Sequence, residues 1–206
     1  MQTISIAVSG EHFFCFVQVE KEAALLNFHL IHYRDVHWVQ QKTMQKSFEL
    51  LAGEQVIGTL QFPHVLSTRA EVQTSLQRWS FKRTGFPKIC VSIRKPDEEQ
   101  DFAIFSPYLF GDGVLQMEDG HSFNWAPLNF WRTQWMFYDA GDLPILQFLS
   151  GSRKSKLSDL FKTQAEVEIM DTSISDEQLC LLVPLGFYLF VLHSNDAAIA
   201  TAVGAS

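Results

Sequence analysis

Leu179 to Leu192 reads LCLLVPLGFYLFVL, fourteen residues without a single charge. A helix made of it is apolar on every face, so no side of it belongs in water. At ~1.5 Å per residue it spans roughly 21 Å, short of the ~30 Å hydrocarbon core of a bilayer. Burying about ten large side chains contributes roughly 15–30 kcal/mol before chain entropy is subtracted. The rest of the protein must therefore wrap around this segment. Ser175, three residues before Gln178, resembles a capping box, and Asp176 and Glu177 place negative charge at the positive end of the helix dipole. These signals predict a helix over about 176–193. Pro184 and Gly186 predict a kink or break inside it, and the tail 194–206, ending DAAIATAVGAS, is expected to fray.

The chain before this helix is a succession of short β-rich runs between turn signals, with little helical periodicity. Thr3–Val8 and Phe13–Val19 flank Ser9-Gly10-Glu11. Phe48–Leu51 and Val56–Phe62 flank Gly53-Glu54. Val72–Lys82 and Ile89–Arg94 flank Thr84-Gly85-Phe86-Pro87. Phe102–Phe105 follows, then Gly113–Met117 and Ser122–Trp125 around Asp119-Gly120, a tight-turn dipeptide. Gln134–Tyr138 and Leu143–Leu149 flank Asp139 to Asp142, and a last run covers Gln164–Met170. Glu20–Phe28 reads as a short helix. Roughly twelve strands suit an all-β closed barrel, and closure removes exposed sheet edges. The expected architecture is one domain over 1–206, a barrel enclosing the hydrophobic C-terminal helix.

With 47% hydrophobic residues the 206-residue chain can build a sizeable core, and 18 Phe with 5 Trp favour pleated surfaces and a wide interior. A net charge of −7 argues against nucleic-acid binding by phosphate neutralisation. Cys15, Cys90 and Cys180 are scattered and form no CxxC pair, which fits free thiols in a reducing compartment. The N-terminal MQTISIAVSGEHFF has no basic start, long apolar stretch or cleavage signal, so the expected location is cytoplasmic, with no transmembrane segment.

From Leu60 onward the sequence resembles the tubby C-terminal-like superfamily, which holds the LURP-one-related proteins and the phospholipid scramblases. The segments that carry the resemblance are Trp79-Ser80-Phe81-Lys82-Arg83, GVLQMEDGHSFNW at Gly113–Trp125, WRTQWMFYDAGDLPILQF at Trp131–Phe148, and the apolar helix, spread over about two-thirds of the chain. The resemblance implies a twelve-stranded barrel threaded by a C-terminal helix. It also implies binding, and in the tubby proteins basic residues on the barrel hold phosphoinositides. No lipid-binding residue carries over, because no matching motif is present.

Candidate sites come from the residues themselves. If Trp79, Phe81, Ile89, Val91 and Ile93 point inward, the pleat sends Arg78, Lys82, Lys88 and Arg94 outward. Four cations on one ribbon suit a phosphate headgroup or an acidic partner, although a solvated strand face explains them equally simply. Arg153-Lys154-Ser155-Lys156 with Lys162 forms a second basic cluster in a loop. Asp97, Glu98, Glu99 and Asp101 discourage edge pairing and lack calcium-ligand spacing. His29, His32 and His37 fit no metal motif, so no metal or cofactor is expected. Trp38, Trp79, Trp125, Trp131 and Trp135 read as core filling, each indole N–H meeting a backbone carbonyl. There is no GxSxG elbow, phosphate-cradling loop or GxGxxG, and Asp119, Asp139 and Asp142 are explained as turn residues. The expectation is a non-enzymatic binding or scaffold domain that meets a protein partner or an anionic lipid surface. A peripheral, scramblase-like lipid-binding protein and an enzyme with an unrecognised site are the alternatives.

Overall fold

The computed structural model describes residues 35–41, 46–64, 67–85, 88–96, 98–109, 111–151 and 163–204. The first six strands are β1 (Val36–Gln40), β2 (Ser47–Ala52), β3 (Gln55–Gln61), β4 (Arg69–Thr74), β5 (Arg78–Thr84) and β6 (Cys90–Arg94). The second six are β7 (Ala103–Pro107), β8 (Gly113–Met117), β9 (Ser122–Pro127), β10 (Gln134–Tyr138), β11 (Pro144–Ser150) and β12 (Gln164–Ile169). Each strand runs antiparallel to its sequence neighbours, and β1 pairs with β12 to close the barrel, Val36 opposite Val167 and Trp38 opposite Ala165. The helix α1 (Asp176–Gly204) follows.

The period-2 pattern decides what each strand gives the interior. Along β5, Trp79 and Phe81 are buried while Arg78 and Lys82 are exposed. Phe105 and Ala103 alternate in the same way with Ile104 on β7. Where the barrel must admit a ring, the neighbour is small. A Cβ at Gly113 would lie 2.7 Å from Phe105 Cζ and 2.5 Å from Ser106 O, so that position of β8 takes only glycine.

α1 starts with the expected capping box: Gln178 N donates to Ser175 Oγ (3.2 Å) and Ser175 N to Gln178 Oε1 (3.4 Å). Every residue from Leu179 to Leu192 is buried. The helix meets strands on all sides, with Phe187 stacked on Trp38 at 4.6 Å, Tyr188 stacked on Phe62 at 5.8 Å, and Phe48 edge-on to Phe187 at 5.0 Å. Asp176–Ala198 is long and apolar enough to cross a membrane by length and composition, but 78% of its apolar 18-residue window is buried inside the barrel.

Four expectations are corrected. Val72–Lys82 is two strands, because Thr74 reverses the chain: its Oγ1 donates to Gln77 O (2.9 Å) and accepts from Gln77 N (3.1 Å). Val36–Gln40, not read as a strand, is β1 and closes the barrel. Pro184 and Gly186 do not interrupt α1, and the tail does not fray, since the helix continues to Gly204. An Ala-rich segment extends readily from a helix already nucleated inside the barrel. The proposed hairpin at Thr3–Val19, the helix at Glu20–Phe28, His29, His32 and the basic cluster from Arg153 to Lys162 lie outside the described residues.

Candidate functional site

The pairing registers lay out the outer face of β4, β5 and β6. Lys82 lies opposite Arg69 on one side and Ser92 on the other; Arg78 lies opposite Gln73, and Arg94 opposite Ser80. Arg78, Lys82, Lys88 and Arg94 are all exposed, as the alternation required. They do not converge. Arg78 and Lys82 are four residues apart on one strand, roughly 13 Å at strand rise. Arg94 Nε is paired with Asp101 Oδ1 at 2.5 Å, and Arg69 with Glu71 at 3.4 Å on the same face. Among the described residues, Arg78, Lys82 and Lys88 have no ion-pair partner. Ile89, expected to point inward, is 53% exposed, because β6 begins only at Cys90 and Ile89 belongs to the turn.

The two ends of the barrel differ. α1 enters beside the β4–β5 turn, where buried Cys180 shares a hydrogen bond with Thr74 Oγ1 (3.2 Å). It leaves at the other end, where Arg83 holds Asp196 with two guanidinium bonds of 2.6 and 3.1 Å. Tyr188 Oη donates to Thr68 O (2.5 Å), and Thr68 Oγ1 donates to Arg83 O (3.2 Å), so the exit is bonded to β5 and the β3–β4 connection. Arg83 sits beside Lys82 in sequence but falls on the inward parity of β5, where it reaches the helix. The hydrogen bond and charge of Asp196 raise its pKa further. His193, half-buried, packs edge-on against Trp135 at 5.1 Å and lies under Gly111. Its pKa is lowered, first by burial and then by Arg132, with Asp196 acting the other way.

The aromatic expectation divides. Trp38, Trp79, Trp125 and Trp135 are buried, but Trp131 is 80% exposed and its neighbour Phe130 90% exposed. Of the buried indoles, Trp135 Nε1 donates to Arg132 O (3.0 Å), whereas those of Trp38 and Trp79 have no partner among the described residues. The β9–β10 connection that displays Phe130 and Trp131 is held from below. Asn129 Oδ1 accepts from Thr133 N (3.0 Å), Asn129 Nδ2 donates to Thr133 Oγ1 (2.8 Å), and Arg132 adopts φ 54°.

At this exit end the sequence reading named Lys88 as outward but took Ile89 and Trp131 for core, and it passed over Phe130. The signal was available as Phe130-Trp131 between Asn129 and Arg132, an aromatic pair inside turn chemistry rather than in a strand. Among the described residues no group of His, Cys, Asp and Glu is arranged to hold a metal. No protein-family model, curated protein or solved structure matches the chain.

Proposed function

We propose that this protein is a binding barrel without chemistry of its own, of the kind its resemblance to tubby and LURP-one-related proteins implies, and that it meets its ligand on its outer face and ends. The observation that supports this reading is the occupied interior. Leu179–Leu192 fills the lumen and leaves only the outside to a partner. On that outside, Arg78 and Lys82 offer exposed cations to an anionic ligand, with Lys88 beyond them and Arg94 already engaged by Asp101. Exposed guanidinium and ammonium groups suit phosphate oxygens.

The test is a titration of isotope-labelled protein with inositol hexakisphosphate, followed by NMR. Shifts confined to outward positions of β4–β6, weakened about tenfold in Arg78→Glu/Lys82→Glu, are expected. Shifts centred on Leu179–Leu192 and the rings around it, or none at all, would overturn the reading.

A further inference from the structure

Of the ten exposed large apolar side chains among the described residues, six gather at one end, while Leu76, Leu143 and Met170 lie at the other and Ile104 on an outer strand face. Ile89 lies in the β5–β6 connection, Tyr108 and Leu109 in β7–β8, and Leu128, Phe130 and Trp131 in β9–β10. In an antiparallel meander these connections all lie at one end, and each is next to the following one around the rim. That end is where α1 leaves the barrel. Leu109 is 93% exposed, more than either aromatic of the β9–β10 pair. Exposed apolar side chains gathered on one rim, with Phe130 and Trp131 edge to face at 5.5 Å, mark an interaction site. The Asn129–Thr133 bonds fix the loop with Phe130 and Trp131 turned outward, so their exposure is built in.

Charge gives the rim its partner. In the connections of the exit end the described cations are Lys46, Lys88 and Arg132 and the described acid is Asp112, with Asp196 on α1 bound by Arg83. The connections of the opposite end hold Glu98, Glu99, Glu118, Asp119, Asp139 and Asp142. An anionic plane would attract the apolar end and repel the other. Tryptophan and tyrosine, each an apolar ring with a polar handle, favour the headgroup level of a bilayer.

We infer that the barrel docks end-on to an anionic lipid bilayer, with Leu109, Phe130 and Trp131 entering the interface and the acidic end facing water. The inference rests on the reading of the chain as an exterior-binding barrel and names the partner of one end.

Trp131 is the one exposed tryptophan of five, so its fluorescence reports the contact directly. The experiment uses the full chain with vesicles of phosphatidylcholine alone and of phosphatidylcholine mixed with phosphatidylserine. Partitioning that requires phosphatidylserine, with a blue shift and quenching by acyl-chain bromine that Trp131→Phe removes, is the expected result. Leu109→Ser/Phe130→Ser should weaken partitioning by about tenfold or more, with its cooperative melting transition retained because both positions are exposed. Absence of vesicle binding by the parent protein overturns the inference; the polyphosphate titration then judges the exterior-binding reading separately. Equal partitioning of Leu109→Ser/Phe130→Ser and the parent, with loss in Arg78→Glu, also overturns end-on docking and leaves a lateral binding face standing.

Discussion

The ring of Phe148 occupies the space in which a side chain at Gly186 would begin. A Cβ at Gly186 would overlap that ring and lie 3.0 Å from Phe137 Cε2. Both phenylalanines are fully buried, Phe137 on β10 and Phe148 on β11, so neither can move aside without disturbing the barrel wall. The glycine that reads as a helix breaker is therefore the place where the helix comes close to the sheet.

Gly186→Ala should destabilise the protein by roughly 1–3 kcal/mol through overpacking, despite the ~1 kcal/mol that alanine gains over glycine in helix propensity. Urea unfolding measures the difference. Gly85→Ala is the control, since nothing lies within 4 Å of its Cβ position, and it should leave the midpoint nearly unchanged. An unchanged midpoint for Gly186→Ala would mean that the helix is not seated against Phe148.

Tyr188→Phe keeps the packing against Phe62 and Phe81 but removes the bond to Thr68 O. A loss of about 1–3 kcal/mol is expected, because the carbonyl is left without its partner in a part-buried site. Burial also raises the pKa of the phenol well above the ordinary tyrosine value. Titration of the parent at alkaline pH should show this phenol ionising only with unfolding.

His193 gives the exit of the helix a pH dependence. Its folded pKa is depressed, so the unfolded chain takes up the proton first as pH falls below ~6.5. The contribution of the neutral ring is complete above that pH and is lost as pH falls through it toward the folded pKa. Amide exchange in 194–198 should quicken over this window, and His193→Asn should flatten the response. Equal pH profiles for the two proteins would show that the ring does not govern the exit.

The thiol of Cys180, pushed up to about 12 chiefly by burial, should resist alkylation in the native protein at mildly alkaline pH. It should react at once when denaturant opens the barrel. Peptide mass mapping after timed iodoacetamide treatment separates the two states, and ready native labelling would mean that the helix start is open.

Much of the fold was legible because local patterns agree with it. The outward placement of Arg78, Lys82 and Arg94 followed from a two-residue period and the inward Trp79, Phe81, Val91 and Ile93. The capping box at Ser175 and Gln178 depends on four consecutive positions, and it formed as read. Ile89 was misplaced because one residue of strand boundary decides its side, and no local signal fixes that boundary. The exit end was hardest to see. Arg83 and Asp196 are 113 residues apart, and Ile89, Leu109 and Trp131 come to share one end only through the alternation of the meander.

The sequence by itself determined that an uncharged fourteen-residue segment had to be enclosed, and that alternating strands would enclose it. Hydrophobic transfer and strand periodicity act on each segment wherever it lies, so they can be read one segment at a time. Only the tertiary structure decided that Val36–Gln40 closes the barrel, that Gly186 makes room for Phe148, and that most of the exposed apolar side chains share one end while most of the loop acids share the other. Each of these depends on which distant residues share a volume or an end, and that is settled by barrel closure and register rather than by any local preference.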